Sequence, residues 1–121
     1  TNSVKRFTYE LPGMSEIRTR FIDLLAERRE HIASHTVAAW DAKNPADIKT
    51  NLAAAQATLH QIAGTAGSLG FGPLGDTARA CEIRIIKHLE DNDTTSLTCP
   101  GDLIVELDDF VAQCRTVSHP N

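Results

Sequence analysis

The chain has 121 residues, a formal net charge of −4 and a pI near 5.6, with 41% apolar and 23% charged residues. That length suits a single domain spanning 1–121, and the composition excludes wholesale disorder and fibrous structure. The mild acidity speaks against a nucleic-acid binder, and no apolar run approaches the ~20 residues of a membrane span.

Residues 1–12 carry no clear periodicity, and Val4–Leu11 is expected to pack as a short lead-in segment. A first amphipathic helix opens at Gly13–Ser15 and runs to about Lys43, with Ile17, Phe21, Leu25, Ile32 and Ala39 at helical spacing. Asn44-Pro45-Ala46-Asp47 stops one helix and starts the next: Asn44 can cap, Pro45 suits the first helical position, and Asp47 complements the positive helix end. The second helix is expected over Pro45–Gly70. Its apolar positions Ile48, Leu52, Ala55, Leu59, Ile62, Ala66 and Leu69 step by four and three, like the seam of a bundle. Gly70-Phe71-Gly72-Pro73 breaks the chain, and Pro73 starts a third helix with Leu74, Ala78, Cys81, Ile85 and Leu89 inward. The polar run Asp91–Ser96 reads as a surface loop. Pro100 and Gly101 precede a fourth helix with the stripe Leu103, Leu107, Phe110, Cys114 and Val117. No strand pattern competes. Four stripes with short connections predict an all-α, antiparallel up-down-up-down four-helix bundle in which the second and third helices form a hairpin.

Several smaller features receive structural readings. Cys81, Cys99 and Cys114 are odd in number and lack a CxxC pair, which suits reduced thiols in a cytoplasmic protein. His31 and His35 have a metal-compatible spacing but no third ligand, so they read as helix-surface or boundary histidines and no metal is assigned. His88 and His119 read as solvated residues near helix ends, and Trp40 as a packing residue near the end of the first helix. Gly64-Thr65-Ala66-Gly67 lacks the Gly-Lys-Ser/Thr ending of a phosphate-binding loop.

The second helix has an unusual outer face. At 3.6 residues per turn, His60 lies roughly 130° from the middle of the apolar stripe and should face solvent. Its surroundings are Gln56, Ala57, Gln61, Ala63, Gly64 and Gly67, where lysine and glutamate are the usual occupants. A helix-interior glycine costs about 1 kcal/mol relative to alanine, so two within one turn require a reason. Close approach of a neighbouring helix is one reason for Gly67 and Gly70; a bare docking surface around a projecting imidazole is another, and it suits Gly64 better.

The segment Leu59-His60-Gln61-Ile62-Ala63-Gly64-Thr65-Ala66-Gly67-Ser68-Leu69-Gly70-Phe71 resembles the signature of histidine-containing phosphotransfer domains, the relay modules of two-component signalling. The resemblance implies that His60 is the phosphorylated residue and that Glu82, on the next helix, orients its ring. Ile83 and Ile86 would join the docking surface. One departure stands out: the family's usual lysine three residues after the histidine is Ala63 here, which implies slower transfer, charge balance from a base elsewhere with Arg79 as the candidate, or a domain that docks without transferring. The implied partners are response-regulator receiver domains and a histidine or hybrid kinase. The implied Mg²⁺ belongs to the receiver, with no cofactor held by this chain. No ATP-site motif is present, so phosphate must come from a partner. A monomer is expected. A helical scaffold that binds receivers or kinases without transfer is the alternative reading.

Overall fold

A computed structural model describes residues 13–93 and 95–118. Helix α1 spans Met14–Asp41, α2 spans Pro45–Ala66, α3 spans Gly72–Asp91 and α4 spans Gly101–Ser118. No strand occurs among the described residues. Each helix packs against two neighbours, so the four close into a ring: α1 on α2, α2 on α3, α3 on α4, and α4 back on α1. Cross-helix contacts run antiparallel. Arg84 of α3 reaches Asp102 and Glu106 of α4, and Arg115 near the end of α4 lies 3.8 Å from Glu30 of α1. The expected bundle and its α2–α3 hairpin are therefore what the chain forms. The lead-in segment and His119 lie outside the described residues. No helix among the described residues is long and apolar enough to cross a membrane.

The local signals at α2 act as their chemistry dictates. The Asn44 side-chain oxygen accepts from the Asp47 backbone N–H at 2.9 Å, and its amide donates to the Asp47 carboxylate at 3.0 Å. One otherwise orphaned donor of the first turn is thereby satisfied. At the other end, α2 tightens into a 3₁₀ turn over Gly67–Leu69 and stops at Gly70, whose φ of 91° disfavours a side chain. The Phe71 N–H donates back to the Ala66 carbonyl at 2.9 Å and the Gly70 N–H to Gly67 at 3.4 Å, the paired bonds of a Schellman cap. Arg18 of α1 donates through Nε to the Leu69 carbonyl at 3.0 Å, and the Phe71 ring stacks on Phe21 with centroids 5.0 Å apart. The hairpin tip is thus fastened to α1.

The core is built from the expected stripes, including Leu25, Ile32, Leu52, Leu59, Ile62, Leu74, Ile85, Leu107 and Phe110, all fully buried. Three expectations need correction. Ile17 is 49% exposed, because it sits a turn before Phe21, level with the end of the α2–α3 hairpin, where no described helix covers it. Trp40 is 56% exposed; its ring edge lies against Gly101 at the start of α4, beside an open groove lined also by Val37, Ile104 and Val105. His88 is not a free surface residue. Its Nε2–H donates to the Thr98 carbonyl at 2.7 Å, which ties the end of α3 to the segment leading into α4. That same connection buries Leu97, an apolar plug not anticipated beside so polar a loop.

The three cysteines are unpaired thiols. Burial pushes the Cys81 thiol up to about 11 and the Cys114 thiol up to about 12, since a thiolate would be desolvated there. Cys99 is half-buried and raised for the same reason. A thiol reagent at pH 8 is therefore expected to label Cys99 first in the native protein, and Cys81 and Cys114 only on unfolding. In the unfolded chain all three thiols ionise near the ordinary value of 9.0, whereas the buried pair stays protonated in the fold. The unfolded state then binds fewer protons, so stability should fall as pH rises from about 9 towards 12. Urea unfolding across that range checks the sign.

Candidate functional site

The site is set by how closely α2 and α3 pack. Near the hairpin they meet at Gly75, a buried glycine of α3. A Cβ there would lie 3.3 Å from the Ala66 Cβ, 3.5 Å from the Gly67 nitrogen and 3.8 Å from the Ala63 carbonyl oxygen. This is the glycine that permits close helix approach. The expectation that Gly67 or Gly70 does so is not met in that form: a Cβ on Gly67 would meet nothing within 4 Å, and Gly70 serves the left-handed cap. Gly75 carried no sequence signal of its own, because its small size matters only opposite Ala66.

Two turns further along α3, this packing brings Glu82 under His60. The His60 side chain is 74% exposed, whereas that of Glu82 is 9% exposed. His60 Nδ1 lies 2.8 Å from Glu82 Oε2. An ionised carboxylate only accepts, so in the neutral ring this bond selects the tautomer with the hydrogen on Nδ1 and the lone pair on Nε2. Nε2 has no hydrogen-bond partner among the described residues. The Gln56 amide donates to the same Oε2 at 2.7 Å. Glu82 is therefore a buried, doubly bonded carboxylate and not a solvated surface group.

The remaining predicted residues distribute around this pair. Ala57, Gln61 and Gly64 are exposed on α2, Gly67 is exposed in the 3₁₀ turn that follows it, and Gln56 and Ala63 are half-buried on the α3 side of α2. On α3, Ile83 is 56% exposed and Ile86 is half-buried. Arg79 is exposed, one turn before Glu82 on the stretch of α3 that runs beside Ala63, and makes no ion pair among the described residues. The structure thus brings Gln56, His60 and Glu82 into one hydrogen-bonded unit and leaves Arg79 outside it. His35 is separate: it lies 2.9 Å from the Asn51 side chain, and His31 is exposed. No group of three or more His, Cys, Asp or Glu able to hold a metal occurs among the described residues.

The Hpt domain family matches residues 16–116, nearly the whole chain, and the protein belongs to that family. No curated protein and no solved structure gives a significant match. Hpt domains perform histidine phosphotransfer in two-component phosphorelays, generally with receiver domains.

The two helix glycines beside the site make opposite predictions. A Cβ on Gly64 meets nothing within 4 Å, so Gly64→Ala is expected to raise stability by about 0.5–1 kcal/mol. At Gly75 the same gain is opposed by the 3.3 Å approach to Ala66, and Gly75→Leu should cost about 1–3 kcal/mol through overpacking. Urea unfolding of Gly64→Ala and Gly75→Leu measures both signs; a Gly75→Leu variant as stable as Gly64→Ala would refute the assignment of Gly75 as the close-approach residue.

Proposed function

We propose that this chain is a phosphorelay carrier whose phosphorylated atom is Nε2 of His60. The observation that carries the reading is the asymmetry of the ring: its inner nitrogen is bonded to buried Glu82, and its outer nitrogen faces solvent on a cleared helix surface. The Nε2 lone pair attacks the phosphorus of a receiver's aspartyl phosphate. The new N–P bond forms as the old P–O bond breaks, and the electron pair leaves on the aspartate carboxylate. Nδ1 keeps its hydrogen, and the positive charge that develops on the ring is balanced by Glu82 across 2.8 Å. The reverse sequence returns the group to a receiver. Such transfer is mostly positioning and charge neutralisation, so a small helical domain suffices.

Charge neutralisation from the partner side falls to Mg²⁺ in the receiver's acidic pocket. From this chain it falls to Arg79, which stands in for the lysine absent at Ala63. Ala57, Gln61, Gly64 and Gly67 leave room for the receiver, and Ile83 offers it an apolar contact. A histidine or hybrid kinase supplies phosphate at the head of the relay. Cytoplasmic location and a monomeric state accord with this role.

The test is phosphotransfer from a panel of phosphorylated receiver and hybrid-kinase proteins to the wild type and His60→Gln. An acid-labile, base-stable label is expected on the wild type alone. Binding of receivers without label on either protein would instead favour the non-transferring scaffold and make the lysine missing at Ala63 the next explanation to test. Arg79→Ala should slow transfer about two- to fivefold, the scale of one exposed charge contact, and Ala63→Lys should restore it.

A further inference from the structure

Glu82 has two side-chain donors among the described residues, and only one of them is the reacting group. The other is Gln56, one helical turn before His60 on α2. Both donate to the same oxygen, Oε2, at 2.7 and 2.8 Å. A glutamate has three side-chain torsions, and a single bond from a 74% exposed imidazole is a weak restraint on them. The second bond comes from a half-buried amide. We infer that Gln56 is a positioning residue: it holds the Glu82 carboxylate in the rotamer that receives His60 Nδ1–H, and through it keeps the reactive lone pair on Nε2. This goes beyond a docking role for Gln56, and its consequence for transfer rests on the carrier reading above.

Three physical consequences follow. First, the amide restrains Oε2 whether or not the imidazole is engaged, so the site is preorganised before a partner arrives. Secondly, Gln56 and His60 are four residues apart on one helix, so their separation is fixed by α2 itself. The pair acts as a two-pronged clamp on a residue of a different helix. Thirdly, without the clamp a carboxylate that is 9% exposed keeps one donor, and that donor sits on a solvent-facing ring. Such a carboxylate gains by turning towards water. The imidazole then reverts to a mixture of tautomers, and part of the population carries its hydrogen on Nε2, where no lone pair is available to attack.

The test uses Gln56→Met, which keeps the length of the side chain and removes its donor, beside Gln56→Glu, which sets a second carboxylate against Glu82. The first readout involves no phosphate: the ¹⁵N shifts of the His60 ring at pH 8. In the wild type Nδ1 should lie in the protonated range and Nε2 in the unprotonated range. In both variants the two shifts should move towards each other, more so in Gln56→Glu. The second readout is phosphorylation by phosphoramidate, a small donor whose P–N bond breaks with loss of ammonia as the bond to Nε2 forms. It needs no docking surface. Gln56→Met should slow this reaction about threefold to tenfold, the scale of one net hydrogen bond. Unchanged ring shifts and an unchanged phosphoramidate rate in both variants would overturn the inference. So would a loss confined to receiver binding, which would return Gln56 to the docking surface. A wild type that takes no phosphate, but whose tautomer is lost in Gln56→Met, would support the positioning role and count against the carrier reading alone.

Discussion

Everything distinctive about this bundle depends on the contact between Gly75 and Ala66. An ordinary side chain at 75 would hold α2 and α3 further apart near the hairpin. The separation matters because Glu82 and His60 must meet at hydrogen-bond distance from backbones that belong to different helices. A shift of about 1 Å would lengthen a 2.8 Å bond beyond useful geometry. The Schellman cap at Gly70 and the stacking of Phe71 on Phe21 serve the same end, since they fix where the hairpin turns and therefore the register of α3 against α2. The glycine and aromatic residues that close the family-like segment are thus structural. His60 and Glu82 sit about three turns away, and their influence on that pair is through register.

The elements were legible because each helix has a buried stripe and chemically distinct ends. Asn44, Pro45, Gly70 and Pro73 are local signals, and local signals survive into the fold. What could not be read shares one cause, dependence on a neighbouring helix. Ile17 has the spacing of a core residue but lies where the hairpin has already ended. Trp40 lacks a full covering because α4 meets it with Gly101 at its first turn. His88 finds the Thr98 carbonyl only because the α3–α4 connection folds back over it. The outward direction of His60 followed from the helical wheel alone, whereas the burial of Glu82 and the engagement of Gln56 required the α2–α3 register. One clue was available: Gln56 lies four residues before His60, on the flank of α2 that also carries Ala63. Its partner on α3 could not be chosen without knowing the crossing.

The outer face of α2 shows stability given up in the folded state. Gly64 and Gly67 have open space where a Cβ would stand, so packing does not explain them. Conformational entropy makes a helical glycine unfavourable whatever its surroundings. The bundle tolerates this because its core is fully closed on the other side of the same helix: Ala55, Leu59, Ile62 and Ala66 are entirely buried. Rigid helix on the inside and bare backbone on the outside are complementary requirements. The carrier role proposed for His60 would need both, a fixed ring and a surface without long side chains around it.

The absence of a lysine at position 63 sharpens the role of the hydrogen-bonded unit. Where a cation stands beside the phosphorylated histidine, charge attraction can gather the incoming phosphoryl group even if the ring is imperfectly held. Here the nearest chain positions offer Ala63 and Gly64, and Arg79 stands on the neighbouring helix with a long, exposed side chain. An exposed cation contributes little and is screened by salt. In the carrier role proposed for His60, the burden would therefore shift from attraction towards preorganisation of the nucleophile, with the ring presenting a lone pair at Nε2 for a larger fraction of encounters. A carboxylate held by two donors from one rigid helix is a way to achieve that without adding positive charge to the docking face.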